Sequence, residues 1–546
     1  MEEVLRKNLN LEKLILFSII VVGFFLRILF LDQFPFGFHS QEAIVGYRAF
    51  SLANTARDEL GRFLPLLFTS FKDYQLPFAT YLVVPFVKFF GLNEFVARVP
   101  FTIFGTLSIL AIYGIARKIF PERKSIALWS VLFLAVNPWA VFLSRTTSDI
   151  ALSFHLFLIG FWALLFFDKK KWLLGLAFLA LLASLYSSKV AWFFIPSFLA
   201  IFLFTRFSKD FFIQKMNLKL IFFIGLIFLW LPLLLTYLTT PSVKQSLLLN
   251  DFSFFTDISI LNSVNQMRGE TVGSGIPFLG KLFFNKSFYL IRFLENLLVH
   301  FNPRFLFAEG SMHPLLGLTN FGPILLVFLP AVIFGLVAFF VKSDKRLFLF
   351  TFWVFLAIVP SAFSFPSLNQ ERAIFLLPVV ALLASLGLAN TKWKWLLIFI
   401  VVLFFNFAFV IYDTVAKEPK RIQKDWLYGY EEVANFIKPA SSTYDEIWVT
   451  NSYAQDPGPL LLFFLKAEPQ NLWQSFENNN KFVFRSWIGR IDKIKIGQIT
   501  PLPTEKRMKK IIFIATPEEI KSLSSYTLIG SVKDLNGDIL LQVGRF

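Results

Sequence analysis

The feature that most constrains this chain is a series of long apolar blocks separated by short polar joints. A run of about twenty apolar residues is the length of helix that crosses a hydrocarbon layer of roughly 30 Å. In that layer no water satisfies a stray N–H or C=O, so each block has to be helical. The first blocks are Lys13–Leu31, Arg98–Ala116, Ser125–Leu143, Ile150–Phe167, Trp172–Tyr186 and Val190–Thr205. The rest are Leu220–Tyr237, Phe321–Val341, Leu347–Phe363, Ala373–Leu388 and Trp395–Tyr412. Composition agrees: 56% of the 546 residues are hydrophobic and 16% charged, against about 25% charge in an average soluble protein. The expectation is an all-α polytopic membrane protein with about eleven transmembrane helices.

One segment decides the topology. Leu76–Leu92 is apolar but contains Pro77, Pro85 and Lys88. If it lies in the interface or re-enters, five joints face the cytoplasm: Arg117–Lys124, Asp168–Trp172, Arg206–Lys219, Lys342–Arg346 and Thr391–Lys394. All five are basic. If it spans, all five face outward, against the positive-inside rule. The rule therefore makes Leu76–Leu92 interfacial, places the N-terminus in the cytoplasm and puts the C-terminal domain outside, as expected of a protein of the plasma membrane. The N-terminal stretch Met1–Lys13 is polar, and no small-residue cleavage site follows the first block, so that block reads as a retained helix. The net charge of +17 is then topogenic, with attraction to anionic headgroups, and implies no nucleic-acid partner. Cysteine is absent, which excludes a disulfide framework and a thiolate metal site.

Residues 1–413 are expected to form the transmembrane domain. It carries two large outward segments, a first outer loop 32–97 and a second 239–320, the latter with an amphipathic Phe283–His300 suited to the interface. Beyond residue 413 the composition changes. Strand-like runs at Glu446–Thr450, Lys481–Arg485, Ile511–Ala515 and Ile539–Val543 follow a helical Gly429–Ile437. Residues 414–546 therefore read as a small extracytoplasmic α/β domain.

A charge at the bilayer centre costs about 2.5–3.5 kcal/mol, so ionisable groups at span ends face a cavity or the interface. Three clusters share the expected outer face: His39-Ser40-Gln41-Glu42-Ala43, Ser144-Arg145-Thr146-Thr147-Ser148-Asp149 and Tyr186-Ser187-Ser188-Lys189. Each residue also has a structural reading. Glu42 serves as a solvated or capping carboxylate, Asp149 as a helix cap, Lys189 as a snorkelling lysine and Arg145 as a partner for Asp149. Arg372 could touch a lipid headgroup. Asp58, Glu59 and Arg62 read as a solvated face, and His39 and His313 as lone histidines. Gly273-Ser274-Gly275 and Asn536-Gly537 are turns.

The stretch from Gln41 to Pro100 resembles the first outer loop of the GT-C membrane glycosyltransferases. The matching residues are Glu42, Ala43, Pro77, Tyr81, Phe90, Gly91, Glu94, Phe95, Arg98 and Pro100. The nearest groups are the protein O-mannosyltransferases and lipid A aminoarabinose transferases. Ser144–Asp149 is similar to their second outer turn, and His300–Pro323 and Asn369–Pro378 to later segments. The resemblance implies a GT-C-like fold and transfer of a sugar from a polyprenyl-phosphate donor, in the bilayer, to a protein, lipid or glycan acceptor. It implies Glu42 and Asp149 as catalytic carboxylates, and Lys72, Arg145, Lys189 and Arg372 as groups that bind substrate phosphate. Such carboxylates take a proton from the acceptor hydroxyl, and cations or a divalent metal ion balance the departing phosphate. No metal ligands are assigned. The chain departs from the pattern at Gln41, where the family has Asp, at Gln75, where it has Lys, and at Trp192, where a basic residue is expected. Two other readings stay open: a transporter or flippase of lipid-linked sugars, which calls for internal repeats and midplane charges, and a non-catalytic relative serving as a binding scaffold.

Overall fold

The computed structural model describes residues 2–69, 74–204, 216–240, 253–256, 258–275, 277–284, 286–311, 313–341, 346–364, 368–454, 456–477, 490–499, 509–523 and 525–546. They are mostly helical, with one small sheet near the C-terminus. The chain forms two compact units. The first comprises 1–26, 104–143 and 149–410, and the second 27–103, 144–148 and 411–546. The first helices are α1 (Glu2–Ile28), α2 (Ser40–Thr55), α3 (Phe78–Phe90), α4 (Glu94–Ile119), α5 (Lys124–Val136), α6 (Pro138–Ser144), α7 (Asp149–Phe166), α8 (Trp172–Leu185) and α9 (Lys189–Phe204).

Among the described residues, four helices are long and apolar enough to cross a membrane: α4, α7, Phe222–Thr239 and Trp393–Ala416. The pair α5 and α6 qualifies together but bends by 54°. The bend falls at Pro138, which has no N–H to continue the ladder, while Asn137 Oδ1 accepts the Ala140 N–H at 3.1 Å and caps α6. Besides α1, which has 27 residues, the remaining apolar helices have 10–17 residues. Prolines such as Pro196 in α9 and Pro360 in Leu347–Ala362 remove ladder bonds from these shorter helices. Eleven apolar blocks are thus not eleven helices of full spanning length. Within Leu76–Leu92 the helix α3 has 13 residues, about 20 Å at 1.5 Å per residue.

The first unit packs its helices in two ways. Bulky rings fill one part of its core: Phe157, Phe194, Phe198, Phe375 and Trp353 are buried, with ring centroids 4.4–5.9 Å apart. Elsewhere small residues let backbones touch. A Cβ on Gly335 would meet Leu383 O at 1.9 Å, and one on Gly387 would meet Ala331 O at 2.0 Å. That close approach is the small-residue packing used where lipid supplies no hydrophobic drive.

Four of the five basic joints meet at one end of this unit. Lys118 and Lys169 lie over the same Phe166 ring, at 5.8 and 5.4 Å. Arg346 sits 4.3 Å over Phe120 and pairs with Glu122 at 3.0 Å. Arg123 donates to Asn390 Oδ1 at 2.6 Å.

The second unit holds the sheet. Its strands are β1 (Glu446–Val449), β2 (Arg490–Ile491), β3 (Ile494–Ile496), β4 (Ile511–Ala515), β5 (Thr527–Lys533) and β6 (Ile539–Arg545), in the order β2-β3-β1-β4-β6-β5. β1 runs parallel to β3 and β4, and the β5–β6 hairpin is antiparallel. The expected strand Lys481–Arg485 lies outside the described residues, whereas β2, β3 and β5 were not anticipated. Helix α2 and the residue Phe38 before it pack on the helix Gly458–Leu465 and the turn after it: Phe38 meets Phe463 at 4.5 Å, and Tyr47 Oη donates to Ala467 O at 3.0 Å.

Gly387→Val should force two backbones apart and cost about 1–3 kcal/mol as an overpacked contact. Gly175→Ala, whose Cβ meets nothing within 4 Å, should be neutral or slightly stabilising. Thermal unfolding in detergent checks both.

Candidate active site

Helix α2 begins because His39 is extended and its Nδ1 accepts the Gln41 N–H at 3.3 Å. Glu42 stands in the first turn, where a carboxylate suits the positive end of the helix dipole. It is only 4% exposed, so its charge needs partners. Arg98, on the first turns of α4, supplies them: Nε donates to Oε1 at 3.2 Å and Nη2 to Oε2 at 2.6 Å. The Thr147 N–H donates to Oε1 at 2.9 Å. The first two sequence clusters are therefore joined through Glu42.

Arg98 is fully buried and fully committed. A guanidinium has five N–H donors. Besides Glu42, Arg98 Nη1 donates to Leu31 O (3.0 Å) and Pro35 O (3.3 Å), and Nη2 to Gly37 O (2.9 Å). Gly37 has φ +96, and a Cβ there would meet Trp426 O at 2.5 Å, so only glycine brings this carbonyl to Arg98. Arg145 fastens the same segment from the other side, donating to the carbonyls of Leu29 (2.8 Å), Phe30 (3.0 Å) and Phe34 (3.1 Å). Burial, then the nearby Arg98 charge, lowers its pKa to about 10, which leaves it protonated at neutral pH.

The other expected residues are placed as follows. Asp149 is half-buried and opens α7. Lys189 opens α9, its Nζ 3.5 Å from Tyr237 Oη and 5.5 Å over that ring. Arg372 is half-buried, with its backbone N–H bonded to Asn369 Oδ1 at 3.0 Å. Lys72 lies outside the described residues. The replaced positions also have structural roles. Gln75 accepts from Arg48 Nη1. Trp192 Nε1 donates to Leu185 O at 2.7 Å. Gln41 is exposed.

Asp58 and Glu59 are not a solvated face. They are 0% and 1% exposed, because Glu59 pairs with buried Arg48 at 2.9 Å and Asp58 with Arg62 at 2.6 Å. Burial and then the Glu59 charge raise the Asp58 pKa, with Arg62 opposing. Trp473 Nε1 donates to Asp58 O at 3.0 Å. Sequence reading assigned no role to Arg98 or Arg48. The available signal was a lone arginine at the start of an apolar block, a charge that must find a partner. Among the described residues, no group of three or more His, Asp or Glu could hold a metal ion, and Glu42 is engaged by Arg98. These described residues do not make a metal centre.

Comparison with known proteins adds a lineage to this geometry. Residues 75–235 match the family described as dolichyl-phosphate-mannose-protein mannosyltransferase. No curated protein matches the chain in sequence. Among solved structures, the chain is similar to ArnT from Cupriavidus metallidurans bound to undecaprenyl phosphate, at 12% identity and TM-score 0.52, with 97% of each chain covered. The archaeal oligosaccharyltransferase AglB from Archaeoglobus fulgidus, in complex with an inhibitory peptide and a dolichol-phosphate, gives 14% identity and TM-score 0.47 over 83% of this chain and 63% of that one. The chain shares its fold with ArnT. The family match relates residues 75–235 to the dolichyl-phosphate-mannose-protein mannosyltransferases.

The Glu42–Arg98 pair makes a stability prediction. Glu42→Gln or Arg98→Leu alone leaves a buried charge unpaired and should cost about 3–5 kcal/mol. The double variant Glu42→Leu/Arg98→Leu should recover a large part of that loss. A double-mutant cycle on thermal unfolding measures the difference.

Proposed function

We propose that this protein transfers a sugar from a polyprenyl-phosphate donor to an acceptor hydroxyl on the outer face of the membrane. The observation that carries the reading is the match of residues 75–235 to the mannosyltransferase family. The fold shared with ArnT, whose structure holds undecaprenyl phosphate, supports the donor class. In the reaction the acceptor oxygen bonds to the anomeric carbon as the bond from that carbon to the phosphate oxygen breaks. The electron pair leaves with the phosphate, and the acceptor proton passes to a carboxylate.

The residues divide this work. Asp149, opening α7, is the proposed proton acceptor. Glu42 holds the turn two residues before it through Thr147 N–H. Lys189 and Arg372 balance charge on the departing phosphate, with Lys72 as a third cation. Arg145 shapes the turn. The proposed topology keeps eleven spans, a cytoplasmic N-terminus, a transmembrane domain of residues 1–413 and an extracytoplasmic domain of 414–546. The gathering of basic joints at one end of the first unit supports the cytoplasmic side. The acceptor is a protein, lipid or glycan.

Transfer is tested with a polyprenyl-phosphate-linked sugar in membranes containing each variant. Asp149→Asn should lower turnover about 10²–10⁴-fold, the usual contribution of a general base, with unfolding unchanged. Gln41→Asp should preserve or raise turnover. Activity in Gln41→Asp alone would identify the natural chain as a non-catalytic relative.

Topology has its own test. A reporter fused after Lys171 should be cytoplasmic and one after Phe546 external. A cytoplasmic C-terminus would remove the eleven-span arrangement.

A further inference from the structure

The basic end of the first unit has a corner built from two helix starts. Arg123, immediately before α5, donates through Nη1 to Asn390 Oδ1 at 2.6 Å and to Ala389 O at 3.4 Å. The chain then turns through Thr391 and Lys392 into the helix Trp393–Ala416. Trp129 of α5 meets Phe399 of that helix at 5.9 Å. Lys124 lies five residues before Trp129, and Lys394 five before Phe399. At 1.5 Å per residue, both lysines stand about 7.5 Å above the same contact, at one level.

The surroundings identify what fits there. Trp393 and Trp395 are 66% and 63% exposed. Lys394 Nζ lies 5.9 Å over the Trp393 ring. Only 11% of the apolar window of Trp393–Ala416 is buried within the protein, so lipid has to cover its remaining surface. Exposed tryptophans at the end of such a helix sit at headgroup level, and lysines there reach toward headgroup phosphates. Lys124 is partly balanced by Glu12 at 3.5 Å. No acidic residue lies between Ala373 and Tyr412 in sequence, so the second helix start brings two lysines and no carboxylate of its own to this end.

We propose that this corner binds the headgroup of an anionic phospholipid. Its phosphate lies against Lys392, Lys394 and Arg123, the two indoles flank the glycerol level, and the acyl chains run along Trp393–Ala416. The site is independent of the transfer chemistry.

The test uses the full chain in nanodiscs of phosphatidylcholine, with and without phosphatidylglycerol, read by thermal unfolding and by native mass spectrometry of retained lipid. Wild type should gain thermal stability from phosphatidylglycerol and keep it bound. Lys392→Gln/Lys394→Gln should retain it about 25-fold less well, from roughly fivefold per lysine near a charged surface. The Lys392→Arg/Lys394→Arg variant should behave as wild type, and unchanged unfolding of the Gln variant in phosphatidylcholine would show that its fold survives. Equal stabilisation by both lipids, or undiminished retention by the Gln variant, would overturn the proposal. So would inorganic phosphate in detergent reproducing the full shift, since the site would then recognise phosphate without a lipid.

Discussion

The buried guanidinium of Arg98 is the constraint around which its surroundings are arranged. A charge of that size removed from water is costly unless every donor finds an acceptor. Here a carboxylate and three backbone carbonyls meet all five. The acceptors come from Leu31, Pro35, Gly37 and Glu42, so one charge sets the path of the chain after α1 and the placement of α2. Glu42 passes the constraint on to Thr147. Loss of either ion would release several backbone segments together.

The helical unit meets a different constraint. Lipid is as apolar as leucine, so burying apolar surface does little to hold helices together in it. Contact is gained by close approach at Gly335 and Gly387, by interlocked rings around Phe157, and by small polar pairs. The Ser153 and Ser184 hydroxyls lie 2.8 Å apart, each within hydrogen-bond reach of the other's backbone carbonyl, and their two protons serve two of these three contacts. The many phenylalanines accordingly serve two environments. Phe157 and Phe198 are in the core, whereas Phe404 and Phe405 are each 66% exposed along a lipid-facing helix.

Legibility in the sequence followed the range of the interaction. Apolar blocks, the basic joints and the strands at Glu446, Ile511 and Ile539 are local patterns, and a window along the chain finds them. The charges of the first polar segment are different. Nothing in the run around Glu59 says that Arg48, back on α2, pairs with it in a buried setting, or that the Asp58–Arg62 pair is covered too, so a polar run looked solvated. Arg98 and Glu42 are 56 residues apart, and their pairing is a property of the fold. Helix length escaped for a third reason: hydropathy counts apolar residues, whereas a helix breaks at a proline such as Pro138. Strand β5 was hidden because its first three residues are exposed, leaving no alternation to read.

The two faces of α2 bear on which carboxylate does the chemistry. Successive residues on a helix are turned by about 100°, and Gln41 and Glu42 show it: the first is exposed and the second buried. A carboxylate at position 41 would stand open to an acceptor, while the one at 42 is already bound on both oxygens. Glu42 therefore cannot stand in for the acid missing at 41 without releasing Arg98 into an unpaired state. Moving a proton onto Glu42 would remove the negative half of a buried pair. Asp149 carries no such cost to Arg98, because that guanidinium's five donors are committed elsewhere. That difference is the reason the proposed reaction gives the proton to Asp149 and leaves Glu42 to keep its turn in place.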